Sequence, residues 1–141
     1  MISKTGLHAV RAMLALARLR DGEFAGATSV AREIGAPQNY LGKLLQTLAR
    51  YGLVEPQKGI GGGFRLAKST KHVTLFDIVD PFEQLSRWHG CILGRKECSD
   101  SDPCAVHEKW KAARTAYLRL LQTTTIADLV RKGEAAVLAT Q

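Results

Sequence analysis

The chain has 141 residues, an ordinary apolar fraction of 45% and a formal net charge of +7, which suits one compact unit or one small domain with an appended element. No run of about eighteen apolar residues is present to cross a bilayer, and the first residues lack the apolar stretch and cleavage site of a secretory signal, so a cytoplasmic protein with no membrane partner is expected. The charge is lopsided: residues 1–71 carry eleven Lys and Arg against four Asp and Glu, and residues 72–141 carry nine of each. That imbalance fits either polyanion binding or a solvated basic face. A membrane-surface role fits poorly, because the basic residues do not line an amphipathic helix rich in Trp and Phe.

Residues 7–19 place Leu7, Val10, Met13, Leu14, Leu16 and Ala17 at helical spacing, with Arg11, Arg18 and Arg20 outside the stripe and Gly22 ending the segment. A shorter helix is expected to start at Thr28 or Ser29 as N-cap, to turn Val30, Ala31 and Ile34 inward, and to close at Gly35. Pro37 then suits the first position of a third helix reaching Tyr51. Its inward face is Tyr40, Leu41, Leu44, Leu45 and Leu48, and its outward face Gln38, Asn39, Lys43, Gln46 and Arg50. A short helix, a glycine-containing turn and a longer helix make the helix-turn-helix pattern, a weak signal by itself.

The next fourteen residues strengthen that signal. Leu53–Lys58 reads as extended, Gly59-Ile60-Gly61-Gly62-Gly63 as a turn, and Phe64-Arg65-Leu66 as a returning strand. Two strands around a glycine turn directly after a recognition helix form a β-wing, with Lys58 and Arg65 beside its tip. A phosphate-cradling glycine loop would need a helix after it, and none follows. On this reading Gln38, Asn39 and Lys43 face base edges in the major groove of double-stranded DNA, while Lys58 and Arg65 meet phosphates or the minor groove next door.

In the second half, Thr74-x-x-Asp77 caps a short helix over 74–79 that Pro81 ends. Residues 84–103 read as a long irregular loop, of a length that is usually functional or disordered. It contains Cys91 and Cys98 and runs up to Cys104. Val106, Trp110, Ala113, Tyr117, Leu120 and Leu121 then share one face of a long helix, with Arg114 and Arg119 off the stripe. That face serves either a second copy in a homodimer or the chain's own core; two-fold symmetry would space two recognition helices along the duplex. Thr125-x-x-Asp128 caps a last helix, residues 126–137.

The spacing Cys91-x6-Cys98-x5-Cys104-x2-His107 gathers three thiols and an imidazole. An odd cysteine count argues against a disulfide framework. Three readings stay open: an iron–sulfur cluster, zinc, or thiols that bind no metal. The spacings lack the C-x2-C knuckles of structural zinc and lean towards the larger perimeter of a cluster. His89 reads as a surface or packing residue. A metal hydrolase would need an open metal position, a base and a pocket, and only Glu108 offers a base nearby, so no enzyme is expected.

The chain resembles the winged-helix iron–sulfur transcription regulators of the IscR, NsrR and RirA type (the Rrf-two family). The likeness rests on Ile2-Ser3-Lys4-Thr5-Gly6 with Ala9-Val10-Arg11-Ala12-Met13, on Tyr40-Leu41 through Tyr51-Gly52-Leu53-Val54, on Gly59–Phe64, on the cysteine loop and on Thr124–Leu129. It implies a mainly α fold with a small β-wing: a winged helix-turn-helix over 1–71, then a cluster-binding loop and dimerisation helices over 72–141. It also implies a homodimer with crossed long helices, whose operator binding is switched by a 2Fe-2S or 4Fe-4S cluster in response to iron, oxidants or nitric oxide. Asn39 and Lys58 match base- or groove-contacting positions of the IscR branch, and Gly42 stands where that branch has an acidic side chain that helps choose between operator classes. His107 matches the histidine that completes a 2Fe-2S site. Relatives with a 4Fe-4S cluster take an acidic ligand from the partner's first helix; Leu7 stands there in this chain, with His8 beside it as the candidate partner-chain ligand. The alternative is a cluster-free thiol-based or zinc-containing repressor.

Overall fold

The computed structural model describes residues 1–133. Among these residues six α-helices and one two-stranded sheet follow in the order α1 (Lys4–Ala17), α2 (Ala27–Ile34), α3 (Gln38–Arg50), β1 (Val54–Gln57), β2 (Gly63–Leu66), α4 (Leu75–Glu83), α5 (His107–Thr123) and α6 (Ile126–Arg131). No helix among the described residues is long and apolar enough to cross a membrane.

Helix α1 starts before its apolar stripe because Ser3 caps it: the Ser3 hydroxyl accepts from Gly6 N–H at 3.0 Å and donates to Glu83 at 3.0 Å. A Cβ on Gly6 would lie 2.5 Å from the Glu83 carboxylate, so this tie between the chain start and the end of α4 requires glycine. Helix α2 is capped by Gly26 without a side-chain bond, and Thr28 and Ser29 fall inside it rather than at its cap. The reason is tertiary: Ala25 exchanges two backbone bonds with Phe64 (2.9 and 2.8 Å), and the helix begins as the chain leaves that bridge. Pro37 sits at the N-cap of α3 with extended ψ of 134°, one residue outside the helix expected to include it.

The wing strands are antiparallel, pairing Val54 with Leu66, Glu55 with Arg65, Pro56 with Phe64 and Gln57 with Gly63. Because Phe64 directs its N–H and C=O to Ala25, Pro56 opposite it loses no ladder bond by lacking a donor. At Gly63 φ is +134° and a Cβ would stand 2.4 Å from Ala25 O.

The capping box of Thr74 and Asp77 forms as expected, but Pro81 does not end α4, which continues to Glu83. Proline forfeits the bond to the Asp77 carbonyl and its ring crowds that group, but its fixed φ is helical, so the chain can continue one more half-turn; the stop comes at Gln84, whose φ of 53° is left-handed and whose N–H meets Asp80 O at 2.8 Å. A 3-10 turn, Leu85–Arg87, breaks the stretch expected to be irregular. The last helix closes at Arg131, short of the expected Val137, and residues 134–137 of that expectation lie outside the described residues.

One apolar cluster runs through both halves. It joins Met13 and Leu14 of α1 and Leu41, Leu45 and Leu48 of α3 to Ile78 and Val79 of α4, Leu121 of α5 and Ile126 of α6. Helix α5 contributes little to it: apart from Leu121 and His107 its residues are half-buried or exposed, and Leu120 of the expected stripe is 54% exposed.

Candidate nucleic-acid interface and cysteine centre

Leucines at 41, 44, 45 and 48 bury one side of α3, which leaves Gln38, Asn39 and Lys43 exposed along its first turns. Gln38 donates its amide to the Thr28 hydroxyl of α2, so its side chain is tethered across the helix pair. Lys58 is exposed at the end of β1. Arg65 lies in the returning strand as expected and has a partner there. It stands within β2 opposite Glu55, donating to that carboxylate at 2.9 Å, with its guanidinium 4.6 Å from the Phe24 ring centroid. Its charge is therefore already partnered, a pairing that only strand register reveals.

The loop after α4 is held to α5 by two long side chains. Trp110 Nε1 donates to Gly90 O at 3.1 Å and Arg114 to Trp88 O at 3.5 Å, while Trp88 lies edge-on to Trp110 and Tyr117. Within the loop, Cys91 N–H meets Arg95 O, Cys98 N–H meets His89 O, and Arg95 bonds Asp102. These ties bring three sulfurs and one imidazole together as two pairs. The Cys91 and Cys104 sulfurs are 3.6 Å apart, and Cys98 Sγ lies 3.4 Å from His107 Nδ1. The Leu93 N–H directed at Cys91 Sγ lowers that thiol's pKa, and the Cys104 contact acts in the same direction.

His107 opens α5 and is 3% exposed; its Nε2 lies 2.8 Å from Asp100 Oδ1, which also accepts from Lys111 Nζ at 2.8 Å. The hydrogen bond from Lys111, then that from His107, holds the Asp100 carboxyl below its usual range. Sequence reasoning missed Asp100 and Lys111. The only trace was a lysine four residues after His107, one turn along the same helix face. Among the described residues no group of three His, Cys, Asp or Glu side chains is close enough to hold one metal ion. The four donors stand as a Cys91–Cys104 pair and a Cys98–His107 pair.

His8 is nearly buried and faces this chain's own α3: its Nδ1 is 3.3 Å from the Tyr40 hydroxyl and the rings meet edge to face. Burial first, then Arg11 and Lys4, lower its pKa. His89 is exposed, and its backbone carbonyl accepts from Cys98 N–H.

A helix-turn-helix with an exposed second helix, followed by a glycine-tipped wing, defines a winged-helix transcription regulator. The family model described as Rrf2, iron-dependent transcriptional regulator, matches residues 2–132. The chain belongs to the Rrf2 family. A protein of Aquifex aeolicus, named as a candidate HTH-type transcriptional regulator, is 32% identical over 136 residues, covering 95% of this chain and 94% of that one. The structure of CymR, the global cysteine regulator of B. subtilis, is similar with TM-score 0.78 and 26% identity over 94% of this chain and 97% of the other. T. potens IscR shares the fold with TM-score 0.76 at 24% identity, covering 96% and 90%.

Proposed function

We propose that this Rrf2-family chain is a homodimeric regulator that binds a double-stranded DNA operator, and that an iron–sulfur cluster held by Cys91, Cys98, Cys104 and His107 controls that binding. The observation that carries it is the arrangement of four soft or borderline donors as a Cys–Cys pair and a Cys–His pair. The description of the family as iron-dependent agrees with it. When bound, the cluster supplies a redox-active, nitrosylatable centre whose loss releases its four ligands.

The chain's own residues do the rest. Asn39, Lys43 and the tethered Gln38 lie where a second helix enters the major groove, and Lys58 where a wing reaches phosphate. Residues 1–71 thus bind DNA, and 72–141 sense and dimerise. Helix α5 leaves Leu120, Ala113 and Ala116 exposed on a face suited to a second copy. Trp110 and Arg114 transmit loop order to α5, because both grip loop carbonyls. An ordered loop sets α5 against its partner and so sets the spacing of two α3 helices. A few kcal/mol of differential binding between the two arrangements suffices for a switch.

The test is anaerobic purification with iron and sulfide counts, followed by operator binding before and after cluster removal. Iron and sulfide in equal amounts, together with operator affinity that changes on removal, support the reading; a colourless zinc protein with unchanged affinity overturns it. A second reading, a thiol-based repressor without a cluster, is favoured by the Cys91–Cys104 contact and the lowered Cys91 pKa. Iron-free protein whose operator binding responds reversibly to peroxide would select it.

A further inference from the structure

We infer that Asp100, braced by Lys111, is the positioning residue that fixes His107 as the Nε2–H tautomer and turns its Nδ1 lone pair towards Cys98. As a ligand-orienting role, this rests on the proposed cluster site; as a statement about the imidazole, it does not.

An ionised carboxylate only accepts hydrogen bonds. Asp100 Oδ1 stands 2.8 Å from His107 Nε2, so that nitrogen must carry a proton. A neutral ring has one N–H, which leaves Nδ1 as the acceptor, and Nδ1 faces Cys98 Sγ at 3.4 Å. The imidazole is 3% exposed, so water cannot substitute readily for the carboxylate. Glu108 is the other acid in reach, but its carboxylate is 3.8 Å from Nε2, too far for a hydrogen bond, and 89% exposed.

Asp100 is itself held in place. Lys111 Nζ donates to the same Oδ1 at 2.8 Å, one helical turn beyond His107. Asp100 therefore bridges two positions on one face of α5 while sitting in the loop between Cys98 and Cys104. The ion pair with Lys111 is exposed and contributes little to stability; its use is to aim the oxygen. A carboxylate behind a ligating imidazole fixes the ring's tautomer and orientation and makes the facing nitrogen a better donor.

The test uses the full chain with nitrogen-15 in its histidines, as unsubstituted protein and as Asp100→Ala, Asp100→Asn and Glu108→Gln. In metal-free protein in mildly alkaline buffer, side-chain nitrogen shifts should report Nε2–H for His107. They should report the same for Asp100→Asn, whose amide oxygen still accepts, and for Glu108→Gln, but mixed tautomers for Asp100→Ala. In protein carrying iron and sulfide, Asp100→Ala should weaken metal retention against a chelator by about 10- to 100-fold, with Asp100→Asn restoring most of it. A His107 that carries its proton on Nδ1, or tautomers unchanged in Asp100→Ala, overturns the inference. Protein that takes up no iron or sulfide overturns the cluster reading instead, and the nitrogen shifts still decide the role of Asp100.

Discussion

The sulfur of Cys91 lies 3.6 Å from that of Cys104, although thirteen positions separate them in the chain, while Cys98 is turned away to His107. The loop thus sorts three identical thiols into two kinds. In iron-free protein, mild peroxide should join Cys91 to Cys104, two thiols giving up two protons and two electrons as peroxide is reduced to water. Peptide mapping should find that bond and leave Cys98 open to alkylation. A disulfide containing Cys98 would contradict the pairing.

The wing makes a prediction about salt. Lys58 is exposed and has no carboxylate partner among the described residues, whereas Arg65 is engaged by Glu55 and Phe24. Lys58→Ala should flatten the dependence of log K on log salt by about 0.9, the share of one phosphate contact. Arg65→Ala should change it less, and Glu55→Gln, which frees the guanidinium, should steepen it. Equal slopes for Lys58→Ala and Arg65→Ala would show that the Glu55 pair opens on DNA.

Leu121 is the one apolar residue of α5 that is fully buried, at 0% exposure. Truncation to Ala should cost about 2–5 kcal/mol in denaturant unfolding. Because Trp110 and Arg114 on the same helix hold the cysteine loop, the loosened α5 should also make Cys98 alkylate faster. Loss of stability with unchanged Cys98 reactivity would separate the helix from the loop.

Helix α6 is joined to the rest through backbone bonds from Ile126 to Val73 and from Leu75 to Thr124, both 2.9 Å, beside its Thr125–Asp128 capping box. The Thr125 backbone N–H, then its hydroxyl, lowers the Asp128 pKa. A depressed carboxyl pKa contributes stability that is present above the unfolded value, about 3.9, and is lost as pH falls through the folded one. Asp128→Asn should thus be less stable than the unsubstituted chain near neutrality, and the gap should close below about pH 4. A gap independent of pH would assign the effect to packing. Thr125→Ala should cost about 1 kcal/mol.

These outcomes divide along the line between local and distant forces. Both capping boxes, the apolar face of α3, the glycine turn of the wing and the start of α5 were legible in the chain, because periodicity and capping act over three or four residues. The misplaced α2 cap and the overrun of Pro81 were not. Gly26 caps α2 because Ala25 bonds to Phe64, 39 positions later in the chain, and no local signal registers that bond.

The candidate site divides the same way. Order and spacing alone determined which donors exist, Cys91, Cys98, Cys104 and His107, and that a basic, glycine-tipped wing follows an exposed helix. Only the folded loop decided that the donors stand two by two and that Asp100 sits behind the imidazole, and only strand register decided that Glu55 holds Arg65. Residue type sets what a side chain can bond, but a hydrogen bond needs its partner within about 3 Å, and chain closure over the seven to thirteen positions that separate these partners is set by packing rather than by the three- or four-residue periodicity of sequence signals.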